Sequence, residues 1–180
     1  MKSLPADGLN VVLENEGFGE FTDDPADPGG ATKWGISLRF LRALDDLAGD
    51  IDGDGDVDAD DVKALTRAKA AALYEREFWE KYRYGLLFDT AVAIKIFDLC
   101  VNMGPKGAHR VAQRALRATG RRVIEDGVLG PNTRAAINAV SGPLLVVALR
   151  SEAAGYYRGL ATGRPTFGRY IAGWLNRAYS

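Results

Sequence analysis

The sequence of 180 residues has one cysteine, one histidine and no long apolar run. A single cysteine excludes an internal disulfide, and the apolar surroundings of Cys100 predict a buried, inert thiol. His109 alone supplies neither a zinc site nor a Ser-His-Asp triad, so we expect an exposed helical side chain there. No stretch approaches about 18 apolar residues, which excludes a transmembrane helix, and the start lacks the apolar core of a signal peptide.

The formal net charge of −1 conceals a strong asymmetry along the chain. Residues 1–99 hold 11 Lys or Arg against 21 Asp or Glu, whereas residues 100–180 hold 12 against 3. An acidic first half is typical of a region that carries a charged site, and a basic second half favours an anionic partner. The alternative is that the two halves neutralise each other.

The pattern of apolar residues predicts a mainly α fold, because the alternation typical of strands is almost absent. A short helix is expected to end near Gly17, followed by a loop or small hairpin over residues 18–36. Ser37 is a predicted cap for a helix with a leucine stripe at 38, 41, 44 and 47. Residues 61–82 are predicted to form one long amphipathic helix, and "DTAVAIKIFDLCVNMG" a buried central one. Four later helices follow, one of them beginning at Pro131.

The segment "DIDGDGDVDADD", residues 50–61, matches a twelve-residue EF-hand calcium loop. Aspartates occupy positions 1, 3 and 5, and Gly55 lies at position 6, where the loop turns sharply. Asp58 at position 9 is placed to hold a bridging water. Position 12 is aspartate rather than the usual glutamate, which resembles the dockerin version of the loop. The sequence therefore predicts one structural or activating Ca²⁺, with the ligands Asp50, Asp52, Asp54, Asp56 and Asp61.

Residues 13–37 combine six carboxylates with two prolines and a Gly-Gly pair. Glu16, at a helix end and flanked by Phe18 and Trp34, is a candidate general acid, since apolar neighbours raise a carboxyl pKa. Asp24 or Asp27, in a more polar turn, would stay ionised. Two carboxylates in different environments are what glycosidic bond cleavage requires. Thr32 is a candidate for orienting water.

The stretch "ENEGFGEFTDDPADPGGATKWGIS" resembles the N-terminal signature of glycoside hydrolase family 108 muramidases. That signature reads approximately Glu-Gly-Gly, then Asp-Pro-x-Asp-x-Gly-Gly-x-Thr-x-x-Gly-Ile. The later segments "FDLCVNMGPKGAHRVAQRAL", "DGVLGPNTRAAI" and "GWLNR" resemble the peptidoglycan-binding segment that accompanies it. The resemblance covers nearly the whole chain. It implies a lysozyme-like α fold that hydrolyses the β-1,4 bond between N-acetylmuramic acid and N-acetylglucosamine.

The resemblance also implies roles for individual residues. Glu16 takes the position of the catalytic acid, although Phe18 replaces the second glycine of the signature. Phage-type lysozymes use a Glu, an Asp and a Thr in that order, which favours Asp27 as the second carboxylate, with Asp24 as the reserve, and Thr32 as the third. Phe18, Trp34 and Asn102 are the predicted substrate-binding residues.

The expected organisation is a catalytic region over residues 1–90, including the calcium loop, and a helical peptidoglycan-binding region over residues 91–180 packed on it as one compact domain. Arginines 110, 114, 117, 121 and 122 either meet peptide-stem carboxylates or form a solvated helix face. A non-catalytic wall-binding module is the alternative function, and a dockerin-like calcium module is weakened by the presence of one loop. We expect a monomeric endolysin of phage or prophage type, made in the host cytoplasm without a signal peptide and released to the cell wall through a holin.

Overall fold

The computed structural model describes residues 1–17, 19–24, 29–44 and 47–180, and its contacts divide it into two compact units. The N-terminal unit is Pro5–Arg76, and the C-terminal unit combines Met1–Leu4 with Glu77–Ser180. The elements are predominantly helical, with one small antiparallel hairpin, so the mainly α, lysozyme-like fold class is confirmed.

The N-terminal unit contains short elements joined by turns. They are α1 Ala6–Asn15, β1 Thr32–Lys33, β2 Ile36–Ser37, α2 Leu38–Arg42, α3 Ala59–Ala64 and α4 Arg67–Tyr74. The α1 helix ends where the sequence predicts, because Gly17 adopts a φ of +86° that favours glycine. The Ser37 cap is also present: its hydroxyl accepts a hydrogen bond from the Phe40 N–H at 3.2 Å.

Two helix predictions in this unit are wrong in length. The α2 helix ends at Arg42, and Leu47 lies outside it with a φ of +56° and 60% exposure, so the leucine stripe does not continue. The predicted long helix over residues 61–82 is interrupted, because Leu65 is extended and the Thr66 hydroxyl caps a new helix by accepting from the Lys69 N–H. Cap chemistry therefore prevails over the helix propensity of the surrounding alanines.

The C-terminal unit is built from longer helices. The boundary between the units falls within a π-helical segment, Glu75–Glu80. The elements that follow are a 3₁₀ turn Tyr84–Leu86, α5 Thr90–Ala118, α6 Pro131–Asn138, α7 Gly142–Gly163, a 3₁₀ segment Pro165–Tyr170 and α8 Ile171–Tyr179. The α7 helix packs against both α5 and α8. The predicted central helix is confirmed within α5, which kinks at Gly104, before Pro105.

The core of the C-terminal unit includes aromatic rings and a buried ion pair. Trp79 packs edge-on against Phe97, with ring centroids 5.6 Å apart. Arg177 pairs with Asp98 at 2.9 Å, and Lys95 lies 4.0 Å from the same carboxylate. All three charged side chains are buried. Within the described residues, no helix has the length and apolar character that a membrane span requires.

The structure agrees with the prediction for Cys100 and contradicts the one for His109. Cys100 is fully buried, and this burial raises the pKa of its thiol to about 12, in agreement with the predicted buried, inert thiol. The exposed histidine is wrong. His109 is 2% exposed because its face of α5 packs against the 3₁₀ turn and against the loop before α6.

Candidate active site

Glu16 lies at the end of α1, where the last turn of the helix places it half-buried. Its N–H donates to the Val12 carbonyl at 3.0 Å, so the backbone is held by the helix. Its side chain rests on the backbone of Gly35: a Cβ built at Gly35 would lie 2.5 Å from Glu16 Cβ and 2.7 Å from Oε2. Only glycine leaves room for this carboxylate at that point.

The turn between β1 and β2 carries two residues in the left-handed region. Trp34 has a φ of +56° and Gly35 a φ of +71°. The indole of Trp34 covers Gly19, where an added Cβ would lie 2.3 Å from Cε2 and Cζ2. The turn and the segment after α1 therefore interlock through two glycines: Gly35 accommodates Glu16, and Gly19 accommodates Trp34. A non-glycine residue with positive φ costs free energy, and such residues concentrate at functional sites.

The interlocked turn is held from two sides. The buried Tyr74, at the end of α4, donates its hydroxyl proton to the Trp34 carbonyl at 2.8 Å. Thr22 and Thr32 exchange both backbone hydrogen bonds, at 2.9 and 2.8 Å, so residues 20–24 are tied to the hairpin. The carboxylate-rich segment thus lies beside the strand that leads to the turn under Glu16.

The other predicted catalytic residues are distributed around this hairpin. Thr32 begins β1, is half-buried and donates from its hydroxyl to the Gly30 carbonyl at 3.3 Å. Asp24 is exposed, two residues beyond the Thr22 bridge. Asp27 and Phe18 lie outside the described residues, so their predicted roles remain predictions. Glu16, Thr32 and Trp34 therefore lie around the β1–β2 turn of the N-terminal unit.

Sequence reasoning missed three positioning residues of this site: Gly19, Gly35 and Tyr74. A glycine that accommodates a side chain cannot be distinguished by sequence from one that only turns the chain. The one available indication was the Gly-Ile pair that ends the family signature, here Gly35 and Ile36. The sequence contains no indication of the role of Tyr74, because a tyrosine on the apolar face of a helix is normally predicted to be a core residue.

The predicted calcium loop places its carboxylates in two groups of three. One oxygen from each member of a group lies within 4.8 Å of the others; the groups are Asp50, Asp52, Asp54 and Asp56, Asp58, Asp61. Gly55 has a φ of +100°, so the loop turns where the sequence predicts, and Gly53, for which no turn is predicted, has a φ of +86°. Carboxylate oxygens are the donors that Ca²⁺ prefers, so each group fits that ion in donor type.

Charge repulsion and backbone hydrogen bonds change the pKa values of the loop carboxylates in opposite directions. Burial and the neighbouring Asp54 raise the pKa of Asp52, and Asp54 raises that of Asp56. Burial acts to raise the pKa of Asp61, but N–H groups of Asp58, Ile51 and Asp52 that donate to its carboxylate outweigh it and lower that pKa. Asp61 thus closes the loop by joining its two ends.

Two cationic side chains hold the backbone of the loop. Lys69 donates to the Ile51 carbonyl at 2.6 Å, and Arg42 donates to the Val57 carbonyl at 2.9 Å. The Asp58 carboxylate caps α3 in a capping box with Asp61. The loop is therefore anchored to α2, α3 and α4 of the N-terminal unit.

The predicted binding residues of the second half are partly engaged within the C-terminal unit. Asn102 is exposed, and its Oδ1 accepts a hydrogen bond from the Tyr157 hydroxyl at 2.7 Å. Arg114 and Arg117 pair with Glu125 at 2.7 and 3.6 Å. These two arginines therefore form intramolecular ion pairs on the helix face, and the face is not wholly solvated.

Within this mainly α fold, the glutamate that lies against the hairpin turn is a carboxyl group of the kind that glycoside hydrolysis uses. The family model described as glycosyl hydrolase 108 matches residues 9–104, and one described as a predicted peptidoglycan domain matches residues 107–179. The chain belongs to the glycosyl hydrolase 108 family, and it is a glycoside hydrolase that acts on peptidoglycan.

A solved structure gives the same picture of the fold. The chain is similar to SagA of Brucella abortus, with 29% sequence identity and a TM-score of 0.72, over 96% of this chain and 88% of that one. No curated protein matches the chain. The similarity therefore extends over both units of the molecule and not only over the catalytic segment.

Proposed function

We propose that the chain is an endolysin-type muramidase that hydrolyses the β-1,4 bond between N-acetylmuramic acid and N-acetylglucosamine, with Glu16 as the general acid. The observation that carries this proposal is the placement of the Glu16 side chain on Gly35. The helix end holds the backbone of Glu16, and the side chain lies against Gly35 in the turn. Such positioning is what proton transfer to a leaving oxygen requires.

The remaining groups have roles in the same reaction. Glu16 donates a proton to the glycosidic oxygen as the bond breaks, and a second carboxylate stabilises the oxocarbenium-like sugar or activates water. Asp27 is the proposed second carboxylate, with Asp24 as the reserve, and the hydroxyl of Thr32 is proposed to orient water. Support comes from the chain order of these residues and from the position of Thr32 in the strand before the turn. Trp34, with Phe18, is proposed to contact the sugar chain.

The test is the release of reducing sugar ends from purified sacculi by the wild type and by Glu16→Gln. We expect a loss of about 100-fold or more, since general acid catalysis contributes at least that factor. Glu14→Gln is the matched control, because Glu14 is exposed on the same helix two residues earlier. Binding to sacculi without reducing ends from the wild type would favour the alternative, a non-catalytic wall-binding module. A loss below tenfold in Glu16→Gln would show that another carboxylate is the acid.

We also propose that the loop over residues 50–61 binds one Ca²⁺ that stabilises the N-terminal unit. The support is the EF-hand spacing, the two groups of carboxylate oxygens and the positive φ at Gly53 and Gly55. The ion would offset the mutual repulsion of these carboxylates. At free calcium about 100 times the dissociation constant, binding adds about 2.7 kcal/mol to the free energy of unfolding.

Thermal unfolding in chelator and in millimolar calcium tests the calcium proposal. We expect a rise in Tm of roughly 5–10 °C with calcium for a chain of this size. The double variant Asp52→Asn with Asp54→Asn should lose that rise. Asp60→Asn should keep it, because Asp60 lies at position 11 and pairs with Lys63. A Tm that calcium leaves unchanged would contradict the proposal.

Calcium binding is proposed to follow release of the enzyme from the producing cell. Cytoplasmic free calcium is low, and the compartment that holds the cell wall contains more. A loop that fills after holin-type release would therefore stabilise the enzyme where it meets peptidoglycan. Calcium titration of the melting temperature tests this: a midpoint below micromolar calcium would contradict filling on release.

A further inference from the structure

A cavity of about 540 Å³ lies in the C-terminal unit, beside the loop "DGVLG" that precedes α6. Its charged lining is mostly basic: Lys81, Arg83, Lys106 and Arg134, against one carboxylate, Asp126. The cavity therefore carries an excess of three positive charges. Apolar walls from Pro105, Val128 and Leu129, together with the ring of Tyr82, complete it.

Buried side chains fix the loop that forms one wall. Gln113, which is fully buried, donates to the Asp126 carboxylate at 2.7 Å and to the Val128 carbonyl at 3.1 Å, and it accepts from the Gly127 N–H at 2.8 Å. Gly127 has a φ of +79°, and an added Cβ would lie 2.9 Å from the Lys106 carbonyl. The wall is therefore pressed against α5 and cannot shift without breaking several hydrogen bonds.

His109 supports the same loop as a neutral side chain. The Gly127 carbonyl can only accept, so Nδ1 of His109 carries the proton that it donates at 3.2 Å. Nε2 then accepts from the Tyr84 hydroxyl at 2.8 Å. Burial lowers the pKa of His109, in agreement with this arrangement. The imidazole consequently holds the loop in place and adds no charge to the cavity.

The basic groups of the cavity differ in how far they are already engaged. Lys81 pairs with Glu77 at 3.2 Å, and Arg134 donates to the Leu129 carbonyl. Arg83 and Lys106 are exposed, and in the described parts of the chain neither makes an ion pair. Arg83 also has a φ of +59°, a conformation that is uncommon for a non-glycine residue and frequent at binding sites.

The one carboxylate of the described lining, Asp126, is hydrogen-bonded to the loop that forms the wall. The carboxylate of Asp126 accepts from the Gln113 amide and from the Val128 N–H at 2.8 Å. Both bonds lower the pKa of Asp126, so this carboxylate stays ionised, and the lining keeps its excess of cations after that negative charge is counted. Arg83 and Lys106 are therefore available to an anionic ligand that enters the cavity.

We infer that this cavity binds a carboxylate of the peptide stem of peptidoglycan, through Arg83 and Lys106. The inference rests on the proposed function, since it assigns a recognition site for the same substrate. Stem peptides combine free carboxylates with methyl side chains, and the cavity combines cations with an apolar wall. Charge-assisted bonds from a guanidinium to a carboxylate are short and strong. Lys81, Arg83 and Lys106 all lie outside the segment that matches the peptidoglycan domain, which begins at residue 107, so that segment alone does not define the site.

Calorimetric titration in the Glu16→Gln background tests the inference without hydrolysis. The probes are a disaccharide that carries its tetrapeptide stem and the same disaccharide without peptide. We expect Arg83→Gln with Lys106→Gln to weaken binding of the peptide-bearing probe by about tenfold or more, and to leave the peptide-free probe unchanged. The control Arg158→Gln with Arg169→Gln removes two exposed charges of the same unit outside the cavity and should change neither affinity.

Several outcomes would overturn the inference. They are an unchanged affinity in the Arg83 and Lys106 variant, an equal loss in the control variant, and no binding of the peptide-bearing probe to the parent protein at millimolar concentration. Preferential binding of inorganic phosphate or a teichoic acid polymer would assign the cavity to a phosphate instead. Failure of the muramidase proposal is distinct, because it would abolish release of reducing ends and leave these affinities intact.

Discussion

The two units use different means to hold their functional groups. The N-terminal unit, whose longest described helix has 10 residues, places Glu16 and Trp34 by close approach to glycine and by turns with positive φ. The C-terminal unit has helices of 29 and 22 residues and a core with a buried ion pair. Changes in the first unit should therefore act mainly on catalysis, and changes in the second mainly on stability.

The strongest challenge to this comparison is removal of the buried carboxylate of the C-terminal unit. Asp98→Ala leaves Arg177 and Lys95 buried without their carboxylate, which should cost about 3–5 kcal/mol of unfolding free energy. Activity per folded molecule should remain close to wild type. Denaturant unfolding, with activity measured well below the midpoint, provides the check. An unchanged stability would mean that this pair does not support the unit.

In the N-terminal unit, Gly35→Ala should act on catalysis more than on stability. The new Cβ would displace the Glu16 carboxylate, and a displacement of about 1 Å can reduce the rate about 100-fold. Gly120→Ala is the control, since Gly120 has a φ of +84° and open space around it. Backbone strain without displacement should cost about 1 kcal/mol of stability and leave the rate intact. Equal rates for the two variants would contradict the proposed role of Gly35.

A smaller effect is expected from Tyr74→Phe, which removes the hydrogen bond to the Trp34 carbonyl. Loss of this one bond should cost about 1 kcal/mol of stability and about tenfold or less in rate, because the turn retains its glycine contacts. Both can be read from reducing-end release and thermal unfolding of the same sample. A full retention of rate would show that Gly19 and Gly35 alone fix the turn.

The smallest expected effect concerns Lys95 in the C-terminal unit. Burial, opposed by the charge of Asp98, lowers the pKa of Lys95 to about 8 in the folded protein. The unfolded chain keeps its proton to higher pH, so the contribution of Lys95 to stability increases as pH rises through 8. Between pH 8 and 9 this amounts to about 1 kcal/mol. Lys95→Met should remove that increment when its pH profile is subtracted from that of wild type, and identical slopes would contradict it.

The parts of the fold that the sequence could predict are those with local causes. The Ser37 cap, the start of α6 at Pro131 and the turn at Gly55 each depend on one residue and its immediate neighbours. The break at Thr66 was missed because its hydroxyl competes with a strong helix-forming segment on both sides. The cap prevails in the folded chain, but the sequence pattern offers both a cap and a continuous helix and does not show which of them is the more stable.

The candidate site was predicted in its chemistry and not in its geometry. Glu16 and Thr32 could be chosen because acid catalysis needs particular residue types, and the resemblance to a family placed them. The contact of Glu16 with Gly35 joins residues that are distant in sequence, so only the folded chain reveals it. His109 shows the same limit, since its burial depends on a loop 18 residues further along.

The most direct test of the account is the chemical identity of the sugar ends in soluble fragments released from sacculi. Mass spectrometry after a limited digest distinguishes them. The account predicts fragments that end in reducing N-acetylmuramic acid from the wild type and from Glu14→Gln, and none above background from Glu16→Gln. Fragments that end in reducing N-acetylglucosamine or in anhydro sugars, or an undiminished yield from Glu16→Gln, would contradict it.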